Sequence, residues 1–443
     1  MTFTPWTLFT DLGIIAILLL IGKLLRVYVK LFQKLFIPPS IIAGAMGLLL
    51  GPGGFDILPF SNQLGVYPAV LITFIFGALP LSTSTVRGKD VFRGVGATWA
   101  YSQLGILLQW GVMGLLGFTL FRWLWPSLND AFAIMLPTGF YGGHGTAAAI
   151  GESFDKLGWS EAASLGMTTS TVGVLLAIVG GLAIVKVASQ TGRTNYIADF
   201  DNLPDELRSG LVPPDGNRES SGERTTSSIS IESLTFHFAL VLLAAFGGWI
   251  LCKGVKTVVP SLEFPVYCCS FIAGLGFKLI SDNTRISNYI DKPTISSISN
   301  LSADLLVAFG IASIRLEVVA KYWLPLTILL VTGTIITFIC VFFLSRRLFR
   351  ENGFEKSIFA WGWWTGTMAM GIALLRISDP KQESPTLGDF ALAYLPCAPV
   401  EILIISLAPI MYAAGNGLWF SIGCMVLAAL VIVLSRILGW WKK

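Results

Sequence analysis

Apolar runs of roughly the length that a helix needs to cross a bilayer recur along the whole chain. The pattern predicts eleven spans, of which the first five lie at residues 9–29, 37–52, 66–84, 95–121 and 161–188. The other six follow a polar stretch and lie at 233–252, 263–281, 297–315, 323–344, 388–412 and 417–437. We therefore expect an all-α polytopic membrane protein.

Two glycine-rich segments, near 130–151 and 357–376, are left over from these spans. Within the first, Pro137–Thr146 contains four glycines, a histidine and two threonines among apolar neighbours. Each glycine weakens a helix, so a continuous membrane helix would not normally have this composition. Irregular backbone persists inside a bilayer only where protein surrounds it or where it lines a watery cavity. We predict that both segments are re-entrant hairpins and that they form the binding site.

The distribution of basic residues supports this topology. With the N-terminus outside and each glycine-rich segment entering and leaving on one side, 24 of the 30 Lys and Arg residues fall in inner loops or tails. The six outer ones are Arg122, Lys156, Lys253, Lys256, Arg315 and Lys321. Because the positive-inside rule places basic loops in the cytoplasm, the C-terminus and the central polar stretch are predicted to be cytoplasmic.

The two halves of the chain resemble each other. Ile41-Ile-Ala-Gly44 in the second span is similar to Phe271-Ile-Ala-Gly274 in the seventh, and Phe76-Gly77 is similar to Phe309-Gly310. Each half contributes five spans, and an odd number inverts the second copy in the membrane. We predict two inverted five-helix repeats, each with a re-entrant hairpin, which is the plan of secondary transporters.

The predicted organisation has four parts. Residues 1–188 and 233–412 form the two repeats, and 413–443 add an extra transmembrane helix with a basic tail. Residues 189–232 have few apolar residues and many turn formers, so they are predicted to be a flexible cytoplasmic linker.

Composition narrows the function classes. The chain is 54% hydrophobic and only 13% charged, about half the charge of a typical soluble domain. No H-E-x-x-H or G-x-S-x-G motif occurs, so a membrane-embedded enzyme is disfavoured and no cofactor is expected. A channel remains an alternative, because one glycine-rich hairpin per half could line a pore. Nothing in the composition indicates a nucleic-acid partner.

Specific motifs resemble those of the bacterial sodium:glutamate symporters. The resemblance rests on Ile37-Pro-Pro-Ser-Ile-Ile-Ala-Gly44, on Gly142-Gly-His-Gly-Thr-Ala-Ala-Ala149, and on Glu263-Phe-Pro265 before the seventh span. It covers the chain to about residue 412. It implies a homodimer in the bacterial inner membrane that imports glutamate with sodium through two re-entrant loops of opposite orientation. A carrier of another carboxylate, coupled to sodium or protons, is the alternative.

The second glycine-rich segment departs from the family pattern. Where the family usually has small residues, this chain has Trp363, Trp364 and Met368 around Gly362 and Gly366. The extra C-terminal span is a second departure.

The substrate is expected to bind at the two hairpin tips. Half-helices that begin there would direct backbone N–H groups and their dipoles at an anion such as glutamate. The predicted substrate-binding residues are Gly142, Gly143, His144, Gly145, Thr146, Thr365, Gly366 and Thr367. His144 could bind a carboxylate or relay a proton, or it could be a neutral group that packs the tip.

Sodium, the expected coupling ion, needs several oxygen ligands. Glu401 is an ionisable residue inside an apolar span, which indicates a function in ion coupling over a structural ion pair. Hydroxyl ligands could come from Ser82, Ser84, Thr169 and Ser170. For any one of these residues the alternative is a hydrogen bond back to the preceding helical turn.

Overall fold

The computed structural model describes residues 4–34, 37–82, 88–192, 194, 196, 209–212, 220–258, 266–379 and 383–441. At 34, 88–94, 369 and 395 it describes the backbone alone. Within these ranges the regular structure is helical, without a β-strand, which confirms the all-α prediction there. Ser84, residues 263–265, and residues 193, 195, 197–208 and 213–219 of the predicted linker lie outside the described residues.

Nine helices in the described part of the chain are long and apolar enough to cross a membrane. They are Pro5–Tyr28, Leu64–Ser82, Val95–Leu124, Ala162–Gln190, Ser233–Thr257, Lys292–Ala312, Trp323–Leu348, Pro396–Ala413 and Gly417–Ile437. The other two predicted spans, 37–52 and 263–281, correspond to shorter helices of 12 and 17 residues, Pro39–Leu50 and Val266–Asp282. At about 1.5 Å per residue, the described residues of these two helices span less than the roughly 30 Å of a bilayer core.

The remaining helices are shorter or extend these spans. They are Lys30–Lys34, Met135–Gly139, Gly143–Lys156, Leu316–Lys321, Gly353–Thr365, Met368–Ser378 and the flanks of Gly88–Leu116 and Thr386–Ala413. The Gly88–Leu116 helix bends at Val95, whose φ of −126° and ψ of 21° are not helical. The Thr386–Ala413 helix contains Pro396, Pro399 and Pro409, each of which lacks the N–H that a continuous helix needs.

The chain divides into two compact units that each combine segments from both halves. Unit 1 comprises Met1–Leu24, Pro39–Thr85 and Val212–Ile314. Unit 2 comprises Leu25–Pro38, Val86–Leu211 and Arg315–Lys443. Both glycine-rich segments therefore belong to unit 2.

Small residues let the helices of unit 1 approach closely. A β-carbon at Gly44 would lie 2.7 Å from the Ile311 β-carbon, and one at Gly274 would lie 2.4 Å from the Gly77 carbonyl oxygen. Such close approach is typical of membrane helices, which pack through small residues. Near one end of this unit, the buried Asp11 carboxylate accepts hydrogen bonds from the Ser61 N–H at 2.9 Å and the Tyr67 hydroxyl at 2.6 Å.

In unit 2, glycines on two long helices contact large side chains of the two glycine-rich segments. A β-carbon at Gly105, on the Gly88–Leu116 helix, would lie 2.3 Å from the Trp364 ring. A β-carbon at Gly333, on the Trp323–Leu348 helix, would lie 2.1 Å from the Leu136 side chain. Each glycine-rich segment therefore packs a large side chain into the notch that a glycine leaves on a long helix.

Candidate functional site

The first glycine-rich segment is a broken helix. The short helix Met135–Gly139 ends in a turn at residues 140–142, and the helix Gly143–Lys156 begins immediately afterwards. Gly143 has a φ of +64°, which a residue with a side chain rarely adopts. The glycine content of the sequence therefore allows a sharp break at this point. We call residues 140–143 the first tip.

The second glycine-rich segment is broken in the same way. The helix Gly353–Thr365 ends at Gly366, and Thr367 has extended backbone before the helix Met368–Ser378 starts. These two helices, which we call the arms of the segment, lie side by side. A β-carbon at Gly362 would come within 2.6 Å of the Gly371 backbone nitrogen. We call residues 365–367 the second tip.

The two tips contact each other. A β-carbon at Gly143 would lie 2.9 Å from Thr367 Cγ2 and 3.2 Å from the Gly366 carbonyl oxygen. Both tips also meet the middle of the Ala162–Gln190 helix at Gly173. A β-carbon there would lie 2.2 Å from the Thr365 carbonyl oxygen and 2.9 Å from the Phe140 ring.

Two helix N-termini therefore begin in one place. The helices Gly143–Lys156 and Met368–Ser378 have 14 and 11 residues, and the first N–H groups of each have no partner within the helix. The Thr367 hydroxyl accepts one of them, the Met370 N–H, at 3.4 Å. The positive ends of two helix dipoles next to each other favour an anion between them.

The second tip also presents carbonyl groups from the end of the Gly353–Thr365 helix. The Gly362 carbonyl accepts from the Gly366 and Thr367 N–H groups, both at 3.1 Å. The Trp364 carbonyl accepts from the Gln109 side-chain amide at 2.8 Å, and that amide also donates to the Thr337 hydroxyl at 2.9 Å. Gln109 thereby ties the end of this arm to its neighbours.

Two of the predicted sodium ligands, Ser82 and Thr169, and the predicted substrate residue Thr365 donate to backbone carbonyls of the preceding turn. Thr169 donates in addition to the Met135 carbonyl at 2.7 Å, on the short helix before the first tip. The bonds within the helices are from Ser82 to Leu79 at 3.1 Å, from Thr365 to Trp361 at 2.6 Å, and from Thr169 to Gly166 at 3.0 Å. These are the back-bonds that the alternative interpretation predicts.

Ser170 differs from the other hydroxyl residues. Its oxygen is buried and has no hydrogen-bond partner among the described residues. It lies beside the start of the first tip, because a β-carbon at Gly139 would come within 2.4 Å of the Ser170 backbone nitrogen.

His144 is almost completely buried, with 2% of its surface exposed. Its Nε2 lies 3.1 Å from the Thr171 hydroxyl on the Ala162–Gln190 helix. Because Thr171 also donates to the Met167 carbonyl at 2.8 Å, its oxygen is free to accept from the ring. This contact joins the first turn of the Gly143–Lys156 helix to the helix behind it.

Glu401 lies near the first tip, in an aromatic cluster. Tyr394, about two helical turns before Glu401, and Tyr141 of the first tip are both close enough to interact electrostatically with the carboxylate. The Trp363 ring connects the two tyrosines, with ring centroids 5.1 Å from Tyr141 and 5.6 Å from Tyr394. The Oε2 atom of Glu401 is buried and has no hydrogen-bond partner in the described part of the chain.

Most of the predicted site residues lie in the same unit. Gly142, Gly143, His144, Gly145, Thr146, Thr169, Ser170, Thr365, Gly366, Thr367 and Glu401 all belong to unit 2. Ser82 belongs to unit 1. The sequence pattern did not indicate four residues of the site, Gly173, Gln109, Tyr141 and Trp363. A glycine two positions after the Thr168–Thr171 polar cluster was the available signal for Gly173, and the two aromatic residues lie inside the glycine-rich segments themselves.

Comparison with known proteins gives the family. The sequence profile of the sodium/glutamate symporter family matches residues 133–369, more than half of the chain, and this match begins before the first tip and ends after the second. The sodium/glutamate symporters of Escherichia coli (strain K12) and Shigella flexneri are each 23% identical to this chain over 354 residues. Each alignment covers 78% of this chain and 81% of the relative.

Among solved structures, the sodium proton antiporter MjNhaP1 from Methanocaldococcus jannaschii is similar to this chain, with a TM-score of 0.40 and 16% identity. That alignment covers 94% of this chain and 99% of the antiporter. On the family match, which agrees with the resemblance found from the sequence motifs, the chain belongs to the sodium/glutamate symporter family.

Proposed function

We propose that the protein is a sodium-coupled symporter that imports glutamate or a similar acidic amino acid by alternating access. The observation that carries the proposal is the contact between the two tips, where the helices starting at Gly143 and Met368 begin side by side. A carboxylate that has left water needs several hydrogen-bond donors, and two helix N-termini supply them without a basic side chain.

The same place offers ligands for cations. The carbonyl oxygens of Thr365 and Gly366 lie at the C-terminal end of an arm, where the helix dipole is negative. Broken helices in secondary transporters coordinate sodium with such carbonyls. Ser170, whose oxygen has no partner among the described residues, is the hydroxyl that we assign to ion binding. Glu401 is the ionisable group that we assign to ion coupling, since within the described residues one of its oxygens has no hydrogen-bond partner.

In this proposal both glycine-rich segments are re-entrant hairpins. Three observations support this arrangement for the first one. Phe132, before the first tip, packs on Tyr322 with ring centroids 5.7 Å apart, and Glu161, after the returning helix, accepts from the Tyr322 hydroxyl. The beginning and the end of the segment therefore lie close together at Tyr322. Its tip contacts Gly173, in the middle of the Ala162–Gln190 helix.

The proposed inverted repeats, 1–188 and 233–412, are supported by reciprocal packing. In unit 1, Gly44 packs on Ala308 and Ile311, which flank Phe309-Gly310, and Gly274 packs on Gly77. Because Gly44 is equivalent to Gly274 and Phe76-Gly77 to Phe309-Gly310, the two contacts join equivalent places of the two repeats. We propose further that unit 1 forms the contact of a homodimer and that unit 2 moves the substrate, with residues 189–232 as a linker and 413–443 as an added helix.

For the orientation we propose an inner bacterial membrane with the N-terminus outside and the C-terminus inside. Within unit 2, two of the predicted outer basic residues meet the same segment: Arg315 donates to the Ser160 carbonyl and Lys321 to Glu161. Three predicted inner ones, Arg347, Arg350 and Arg436, line one cavity. The grouping of basic residues at the two ends agrees with the positive-inside pattern.

Uptake of radiolabelled glutamate into proteoliposomes tests the proposal. We expect accumulation above the external concentration with an inward sodium gradient, and a collapse of that accumulation when potassium replaces sodium or when the gradient is dissipated. Competition by aspartate, glutamine and dicarboxylates without an amino group then defines the substrate. Flux that only equilibrates, whatever the gradient, would establish a channel, and uptake of other carboxylates without glutamate would establish a different carrier.

A further inference from the structure

A cavity of about 680 Å³ opens where two long helices of unit 2 end. Its apolar wall includes Leu108, Ile339, Phe343 and Ile432, and its charged lining is Arg347, Arg350 and Arg436. We call it the arginine pocket. It is separate from the two tips, and part of it is built by the Gly417–Ile437 helix, which lies outside the predicted repeats.

The pocket changes from apolar to charged along each helix. Ile339, Phe343 and Arg347 are four residues apart, so they form one stripe on the Trp323–Leu348 helix, and Ile432 and Arg436 do the same on the Gly417–Ile437 helix. Ile339 and Phe343 are 57% and 54% exposed. An amphiphile with apolar chains and an anionic end matches this gradient.

The C-terminal residues form a fixed side of the pocket. Gly439 has a φ of +74°, which ends the helix and turns the chain back. Trp440 then packs on Trp99 with ring centroids 6.3 Å apart. The Trp441 ring lies 4.9 Å from the Arg436 guanidinium, and its N–H donates to the Ser435 hydroxyl.

The three arginines have no carboxylate partner in the described part of the chain, where the ion pairs involve other residues. The guanidinium carbon of Arg347 lies 5.7 Å from the centroid of the Phe343 ring. Guanidinium groups bind phosphate oxygens with two parallel hydrogen bonds, so three of them around one cavity favour a phosphate. Clusters of basic residues between helices at the cytoplasmic side bind anionic lipid headgroups.

We propose that the arginine pocket binds an anionic phospholipid. Its phosphate lies among Arg347, Arg350 and Arg436, and an acyl chain runs along Ile339, Phe343 and Ile432. Trp441 is placed at the headgroup level, where tryptophan is favoured in membrane proteins. The site is independent of the transported substrate, so it stands whether or not the chain carries glutamate.

Native mass spectrometry of the purified full-length protein in detergent tests this site. The probes are dioleoyl phosphatidylglycerol, its zwitterionic counterpart dioleoyl phosphatidylcholine, and inorganic phosphate as a competitor. We expect retention of phosphatidylglycerol over phosphatidylcholine and no displacement by phosphate. The triple variant Arg347→Gln, Arg350→Gln, Arg436→Gln should weaken phosphatidylglycerol binding at least about tenfold.

The matched control is the triple variant Arg122→Gln, Arg285→Gln, Arg346→Gln, which removes the same charge from exposed arginines that do not line the pocket. A second variant, Ile432→Trp, fills the apolar part without changing charge and should also displace the lipid. Equal retention of both lipids, or an equal loss in the control, would overturn the proposal. Displacement by phosphate with no effect of Ile432→Trp would establish a simple anion site instead. If the triple variant fails to fold, Arg350→Gln and Ile432→Trp carry the same test.

Discussion

Gly143 and Thr367 are 224 positions apart in sequence, yet a β-carbon on the glycine would lie only 2.9 Å from the threonine methyl group. This contact joins the two glycine-rich segments at the point where each starts a helix. The contact requires glycine at position 143, because neither the available space nor the backbone conformation accommodates a side chain there.

Gly143→Ala is expected to reduce glutamate uptake by roughly tenfold or more, because the added methyl group separates the tips by a few tenths of an ångström or more. It also strains a backbone with a φ of +64°. The initial rate of uptake in proteoliposomes measures the effect. Gly158→Ala is the control for strain alone, since Gly158 has a φ of +93° and nothing lies within 4 Å of its β-position. An equal loss of uptake in both variants would contradict a specific role for the tip contact.

Glu401→Gln tests ion coupling. The substitution keeps the shape of the side chain and removes its charge, so we expect the sodium concentration for half-maximal uptake to rise roughly tenfold, as for a typical coupling free energy between two ligands. Uptake as a function of sodium concentration provides the measurement. Glu317→Gln, at an exposed position, is the control. An unchanged sodium dependence in a folded Glu401→Gln protein would remove Glu401 from the coupling mechanism.

Gln109→Leu is expected to destabilise the protein by about 1–3 kcal/mol, because it leaves the buried partners of the Gln109 amide unpaired. Those partners are the Thr337 hydroxyl and the Trp364 carbonyl. Gln103→Leu, on the same helix, is a matched control. The Gln103 amide is buried without a partner among the described residues, so its replacement should be neutral or stabilising. Thermal unfolding in detergent compares the two, and an equal loss of stability would show that Gln109 does not hold the end of the Gly353–Thr365 helix.

Glu161 gives a pH-dependent contribution to stability. Burial raises its pKa, but hydrogen bonds from Lys321 at 2.7 Å and Tyr322 at 2.6 Å outweigh burial, so the pKa lies below its ordinary value of 4.5. A lowered pKa in the folded state stabilises the protein fully above the unfolded pKa, and this stabilisation is lost as the pH falls through the folded pKa.

We therefore expect Glu161→Gln to lower the unfolding temperature at pH 7 and to have a smaller effect as the pH falls below about 4.5. Thermal unfolding across this range measures the difference from the wild-type protein. Glu152→Gln removes an ordinary surface pair with Lys156 and serves as the control. A difference that grows on acidification would refute the assigned sign.

Much of the fold could be predicted from the sequence, because the bilayer imposes a length on each apolar run. Nine of the eleven predicted spans correspond to sufficiently long helices in the described part of the chain. The glycines of both tips marked where the helices break, since glycine is the residue that permits such backbone. The predicted span 37–52 is longer than the helix Pro39–Leu50, because the prediction included Gly51 and Pro52, which lie beyond the end of the helix.

The sequence by itself therefore determined the class of protein, nine helices that are long and apolar enough to cross a bilayer in the described part of the chain, and the two places where helices break. Only the tertiary structure decided which residues surround those breaks. Gly173 meets both tips, and Trp363 joins Tyr141 to Tyr394 beside Glu401. The hydroxyls of Ser82, Thr169 and Thr365 bond back to their own helices. The physical reason is that helices in lipid are apolar on all sides, so their pattern does not reveal which face meets a neighbour. Contacts between residues hundreds of positions apart are decided by close packing of small and large side chains.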